Sequence, residues 1–204
     1  MKKSEALSLV EQKVCECVKC PELVASRTQT VFGEGNPSAQ VMFIGEGPGE
    51  NEDKEGRPFV GRAGKLLNNI IKACGWQRED VYIANIVKCR PPGNRAPEPH
   101  EAENCSGFLK LQIRTVAPKV IVCLGATAAH YLLNIDTPIS RLRGLWKEYN
   151  GIPVMPTFHP AYLLRFQDPD LQKECKGLVW SDMKQVMEKV NGHHGTPDRV
   201  VRPE

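Results

Sequence analysis

The sequence is poor in aromatic residues, at 6%, and it has no apolar run near the roughly 18 residues that a membrane-spanning helix requires. The amino terminus, Met1-Lys2-Lys3-Ser4-Glu5, leads into a charged amphipathic stretch and lacks the apolar core of a secretion signal. These absences argue against a membrane-embedded or exported protein and predict a cytoplasmic one. A strong excess of either charge is also missing: 27 Lys and Arg stand against 24 Asp and Glu, a net +3. A polyanionic partner is therefore permitted but not demanded by bulk charge. Neither a repeat nor a shift in composition divides the 204 residues, which predicts one domain over 1–191. Residues 192–204 carry no core pattern and are expected to form a carboxyl-terminal tail.

Cysteine, by contrast, is plentiful. Eight cysteines in a chain expected to meet reducing conditions favour metal ligation over a disulfide framework. Cys17-Val-Lys-Cys20 forms a tight local chelate, and Cys89 and Cys105 supply two distant thiols, the pairing that a four-thiolate site needs. Cys15 is the competing ligand; Cys17 is preferred because a two-residue gap is the usual local chelate. Spacing alone leaves zinc and an iron–sulfur cluster both open. Cys74 and Cys123 fall within a helix pattern and a strand pattern and read as ordinary buried thiols.

Four short apolar runs, at 41–44, 81–87, 120–124 and 152–155, read as buried strands. Helical periodicity falls at 4–17, 63–75, 99–116, 125–134 and 172–191. Strands alternating with helices indicate an α/β fold with a parallel sheet covered on both faces, where ligands bind beyond the carboxyl ends of the strands. Those ends carry Gly45-Glu46-Gly47-Pro48-Gly49-Glu50, Lys88-Cys89-Arg90-Pro91-Pro92, Gly125-Ala126-Thr127 and Phe158-His159-Pro160. The first of these runs G-x-G-x-G rather than G-x-G-x-x-G, and Glu46, Glu50, Glu52 and Asp53 would repel a pyrophosphate, so a dinucleotide fingerprint fails. Gly61-Arg62-Ala63-Gly64-Lys65 is too short for a phosphate-binding P-loop.

Taken together, residues 45–50, Gly56-Arg57-Pro58-Phe59-Val60-Gly61, Asn85-Ile86-Val87-Lys88-Cys89-Arg90-Pro91-Pro92 and His159-Pro160-Ala161-Tyr162-Leu163-Leu164-Arg165 resemble the family 4 uracil-DNA glycosylases. The likeness runs in order over about residues 15–190, with the four cysteines in register. It implies a three-layer α/β/α sandwich around a four-stranded parallel sheet, with a [4Fe–4S] cluster on Cys17, Cys20, Cys89 and Cys105. It implies a monofunctional hydrolase that acts as a monomer on uracil-containing DNA, single- or double-stranded, leaving an abasic site. Phe59 would stack on the flipped base, Asn85 would pair with its N3–H and O4, and His159 would face O2, with Gly45, Glu46 and Gly47 closing the pocket.

These roles suit the residue types. An extruded base recovers part of its unstacking cost on an aromatic face. A fixed amide offers the acceptor and donor that uracil matches and cytosine reverses. A donor at O2 stabilises the negative charge that the leaving base develops. The water-orienting Asp of the wider superfamily corresponds here to Gly47, which leaves Glu46 or Glu52 as candidates, with Glu46 favoured for shaping the pocket and Glu52 kept as the water ligand. DNA contacts are expected from Arg57, Lys88, Arg90, Arg143 and Arg165, with Leu163 and Leu164 as an apolar wedge. A non-catalytic binder of uracil-containing or abasic DNA is the alternative.

Overall fold

The computed structural model describes residues 1–192; the expected tail thus lies, apart from Gly192, outside the described residues. Its helices are α1 (Lys3–Cys15), α2 (Pro21–Ser26), α3 (Glu50–Glu55), α4 (Arg62–Ala73), α5 (Pro99–Val116), α6 (Ala126–Leu133), α7 (Ile139–Leu142), α8 (Pro160–Leu163) and α9 (Pro169–Asn191). The strands are β1 (Glu34–Gly35), β2 (Val41–Gly45), β3 (Tyr82–Asn85), β4 (Val120–Leu124), β5 (Lys147–Tyr149) and β6 (Ile152–Thr157). They form one sheet in the order β1-β3-β2-β4-β6-β5. Its four inner strands run parallel, as expected, while β1 and β5 add short antiparallel edges.

The inner strands are apolar because both faces are covered. Met42, Ile44, Tyr82, Ala84, Ile121 and Val154 pack with Leu7, Val10 and Val14 of α1 and Leu109 and Ile113 of α5. Their alternates Val41, Phe43, Ile83, Val122 and Met155 pack with Leu67 and Ile71 of α4 and Val179, Met183 and Val186 of α9. The period-2 alternation of a strand thus divides one apolar run between two layers of helices. Among the described residues no helix is long and apolar enough to cross a membrane.

This topology fixes the site. The chain leaves β2 for β3 on one side, and β4 leads on to β6 on the other. The crevice at the carboxyl ends of β2 and β4 is therefore a switch point, where α/β sheets bind ligands.

Candidate active site

A cavity of about 450 Å³ opens at that switch point, lined among others by Glu46, Glu52, Phe59, Asn85, Thr127 and His159. Its floor is Gly45 at the end of β2, in register with Asn85 at the end of β3. A Cβ on Gly45 would lie 2.5 Å from Asn85 Oδ1 and 2.6 Å from Phe59 Cζ, so only glycine lets the two side chains meet over this strand end. Asn85 is buried, and its Oδ1 has no hydrogen-bond partner among the described residues. An orphaned acceptor of this kind costs roughly 1–3 kcal/mol, which an incoming N–H donor would restore.

Phe59 forms one wall. It adopts φ +53°, a left-handed conformation that costs a bulky residue roughly 1–2 kcal/mol. The first turn of α4 presses against it, since a Cβ on Gly64 would collide with the Phe59 carbonyl group. The Phe59 ring faces the His159 ring at 5.6 Å between centroids and 30° between planes. His159 caps α8, its Nδ1 accepting the Ala161 N–H at 3.0 Å, which leaves the ring proton on Nε2. Burial, reinforced by the Arg165 charge, pulls the imidazole down to about 4, so at neutral pH it is an uncharged donor.

The two carboxylates separate in role. Glu52 Oε1 accepts the N–H groups of Val60 and Gly61, each at 2.9 Å, and its Oε2 accepts that of Gly49 at 3.1 Å. It ties the two pocket loops together through three of its roughly four lone-pair sites. Among the described residues Glu46 accepts one hydrogen bond, from the Thr127 hydroxyl at the start of α6, and it lines the cavity. Thr127 stands at the strand end that the sequence places at the crevice, but nothing in the sequence pairs it with Glu46.

The expected DNA-contacting set is corrected in three places. Lys88 is 1% exposed and its Nζ donates to the Asn85 carbonyl at 2.7 Å beneath the pocket, out of reach of any phosphate. Arg143 is held against the buried Asp182, which also accepts from Thr157, and so braces α9 to β6. Leu163 is 1% exposed and packs into the core. One turn of α8 turns Pro160 and Leu163 inward and leaves Tyr162 and Arg165 on the rim, with Leu164 half-buried. Tyr162 is 40% exposed and stands in a row with Phe158 and Phe166, at 5.0 and 4.9 Å between centroids. Arg57 is exposed but paired to Glu34, and Arg90 bonds Asn94 at 2.8 Å.

Cys17, Cys20, Cys89 and Cys105 line a second, small cavity beside the Asn85 strand, while Cys15 is exposed and bonds Thr30 instead. Arg27 donates to Cys89 Sγ at 3.0 Å and Asn104 to Cys20 Sγ at 3.4 Å, the N–H···S contacts that thiolates favour. No three His, Cys, Asp or Glu side chains among the described residues converge on the point a single metal ion would occupy. The next residues tie this corner to the pocket. Thr28 N–H donates to both oxygens of the buried Asp53, each at 2.9 Å, and Asp53 neighbours Glu52 on α3.

A parallel α/β sheet with a cleft at its switch point, walled by an aromatic ring and carrying a buried amide, suits a planar polar ring. The family model of the uracil DNA glycosylase superfamily matches residues 32–184. The type-4 uracil-DNA glycosylase of Thermotoga maritima is 48% identical over 84% of this chain and 90% of its own length. Those of Sulfurisphaera tokodaii and Archaeoglobus fulgidus are 45% and 41% identical, each over 90% of this chain and over 84% and 93% of their own lengths. The chain belongs to the uracil DNA glycosylase superfamily, within its type-4 branch.

Proposed function

We propose that this protein is a monofunctional uracil-DNA glycosylase of base excision repair, acting as a cytoplasmic monomer on uracil in single- or double-stranded DNA. The single observation that carries the reading is the buried, unpartnered Oδ1 of Asn85 at the foot of the Phe59 wall. Uracil offers an N3–H to that oxygen and an O4 to the amide nitrogen. Cytosine offers an acceptor at N3 and a donor at C4, so it would leave both groups mismatched, a discrimination of several kcal/mol.

In the reaction the C1′–N1 bond breaks and its electron pair moves onto the base, with charge accumulating at O2. His159 donates its Nε2–H to O2; being neutral, it stabilises the anion without first surrendering a proton. Water attacks C1′ and passes its proton to the Glu46 carboxylate, which Thr127 orients. The negative carboxylate also stabilises the cationic sugar as the bond opens. The products are free uracil and an abasic site.

The four thiols suit a [4Fe–4S] cluster on Cys17, Cys20, Cys89 and Cys105. All four line one small cavity, where Arg27 and Asn104 donate to Cys89 and Cys20 sulfur. Burial draws the Lys88 amine beside Cys89 and Cys105 down to about 7, and a negatively charged group there would favour its ammonium form. A cluster would clip the α1–α2 segment to the chain after β3, and Lys88 and Asp53 would carry that rigidity to Asn85 and Glu52. Arg165 and Tyr162 on the rim would hold the strand beside the flipped nucleotide.

The test is incubation with a uracil-containing oligonucleotide followed by alkali, expected to give cleavage at the uracil position. Tight binding without an alkali-labile product would instead favour a non-catalytic binder.

A further inference from the structure

The Phe59 wall is held from behind by a residue outside the cavity. Arg78 opens the 3-10 turn Arg78–Asp80 and is almost enclosed. Its guanidinium grips the loop at two successive carbonyls: Nη2 donates to Pro58 O and Nη1 to Phe59 O at 3.3 Å. The fork is itself fixed on two sides, by Asn68 Oδ1 at 2.7 Å and by Glu34 Oε1 at 2.6 Å. Glu34 turns its carboxylate on Arg57 as well, at 2.7 and 3.1 Å, so the residue before Pro58 is pinned by the same acid. Burial works to raise the Glu34 carboxyl, and the two arginines outweigh it and hold it below its ordinary value.

The clamp is needed because the loop opposes its own geometry. Phe59 stands at φ +53°, where an aromatic residue does not stay unaided, and neighbouring Pro58 offers no N–H to anchor the turn. Two carbonyls left pointing the same way need a planar, multi-donor cation, which Arg supplies and Lys cannot. Arg78, Asn68 and Glu34 do not line the cavity, so they influence a ligand only through the position of Phe59.

We infer that Arg78, oriented by Glu34 and Asn68, is a positioning residue that sets the Phe59 ring at stacking distance from the bound base, and so governs base affinity. This rests on the reading of the cavity as a uracil pocket. Stacking acts on the bound base both before and during bond breaking, so its loss reads as weaker binding more than as slower turnover.

The experiment is a double-mutant cycle of Arg78→Ala and Phe59→Ala, with steady-state kinetics on uracil-containing DNA, calorimetric titration with free uracil, and melting. Arg78→Ala is expected to raise KM and the uracil Kd roughly 10- to 100-fold, with kcat changed less than about threefold. In the Phe59→Ala background the same change should move neither by more than about twofold, because the ring it positions is gone. Additive losses in the cycle, or an unchanged uracil Kd in Arg78→Ala, would overturn the inference. If Arg78→Ala does not fold, Asn68→Ala removes one of the two restraints on the fork. It is expected to raise KM roughly two- to fivefold in the Phe59 background alone, and an equal rise in both backgrounds refutes the inference. Failure of the wild-type protein to bind uracil at all would instead overturn the pocket reading.

Discussion

Replacing Asn85 by alanine separates a recognition residue from a structural one. In the folded protein Asn85 Oδ1 is buried and unpartnered, a condition that costs roughly 1–3 kcal/mol. Removing the amide relieves that cost, while the lost packing at the pocket floor offsets it by a similar amount, so net stability should change by less than about 1 kcal/mol. For a chain of this size that is a melting shift within about 4 °C. Activity responds very differently. Without the amide, the N3–H and O4 of the bound base are desolvated with no partner, at roughly 1–3 kcal/mol each, which predicts a fall in kcat/KM of about 30-fold to 10⁴-fold. The assays are melting by circular dichroism and single-turnover release of uracil. A melting loss above about 10 °C would make Asn85 a structural pin at the end of β3, and kcat/KM retained within tenfold would remove it from base recognition.

Other perturbations distinguish the remaining roles. Glu46→Gln should cut kcat about 100-fold or more with melting unchanged, whereas Glu52→Gln should lower the melting temperature, because one amide oxygen cannot serve the three N–H groups that the carboxylate holds. Because the His159 imidazole titrates at about 4 in the fold against 6.5 when free, the folded state binds fewer protons between those values. Stability should therefore fall as pH drops through that window, and the acid limb of kcat/KM should lie near pH 4, not 6.5. Leu163→Ala should cost roughly 2–5 kcal/mol of stability, while Tyr162→Ala should leave melting unchanged and weaken DNA binding, measured by fluorescence anisotropy. Cys89→Ala should lower melting and DNA affinity together and abolish iron and sulfide in the purified protein; unchanged melting would contradict the clip.

Much of this was legible in the sequence because it rests on patterns that local chemistry enforces. Short apolar runs mark the four parallel strands, three of them next to a glycine, and strand ends in such a sheet mark the ligand crevice, which places Asn85 and His159 together. β1 and β5, two and three residues long, are too short to display a period. The charged residues were misjudged for a physical reason: a lysine or arginine side chain spans several ångströms, and its sequence position does not say whether it reaches solvent. Lys88 bends under β3 to an acceptor on the backbone, and Arg143 finds Asp182 from a helix distant in sequence. The leucine wedge fails at Leu163 because α8 is helical: Leu163 stands three positions after Pro160, which puts both on the inner face and turns Tyr162 outward. Arg78 has no sequence signature for a similar reason, since the two acceptors that tie it to the Phe59 loop are backbone carbonyls.

The most direct test of the whole account is the amount of free base released, over multiple turnovers, from matched duplexes carrying uracil or cytosine at one position. The account predicts many equivalents of uracil per protein, one abasic site for each, and no cytosine. Release of both bases at similar rates, or of neither, would contradict it.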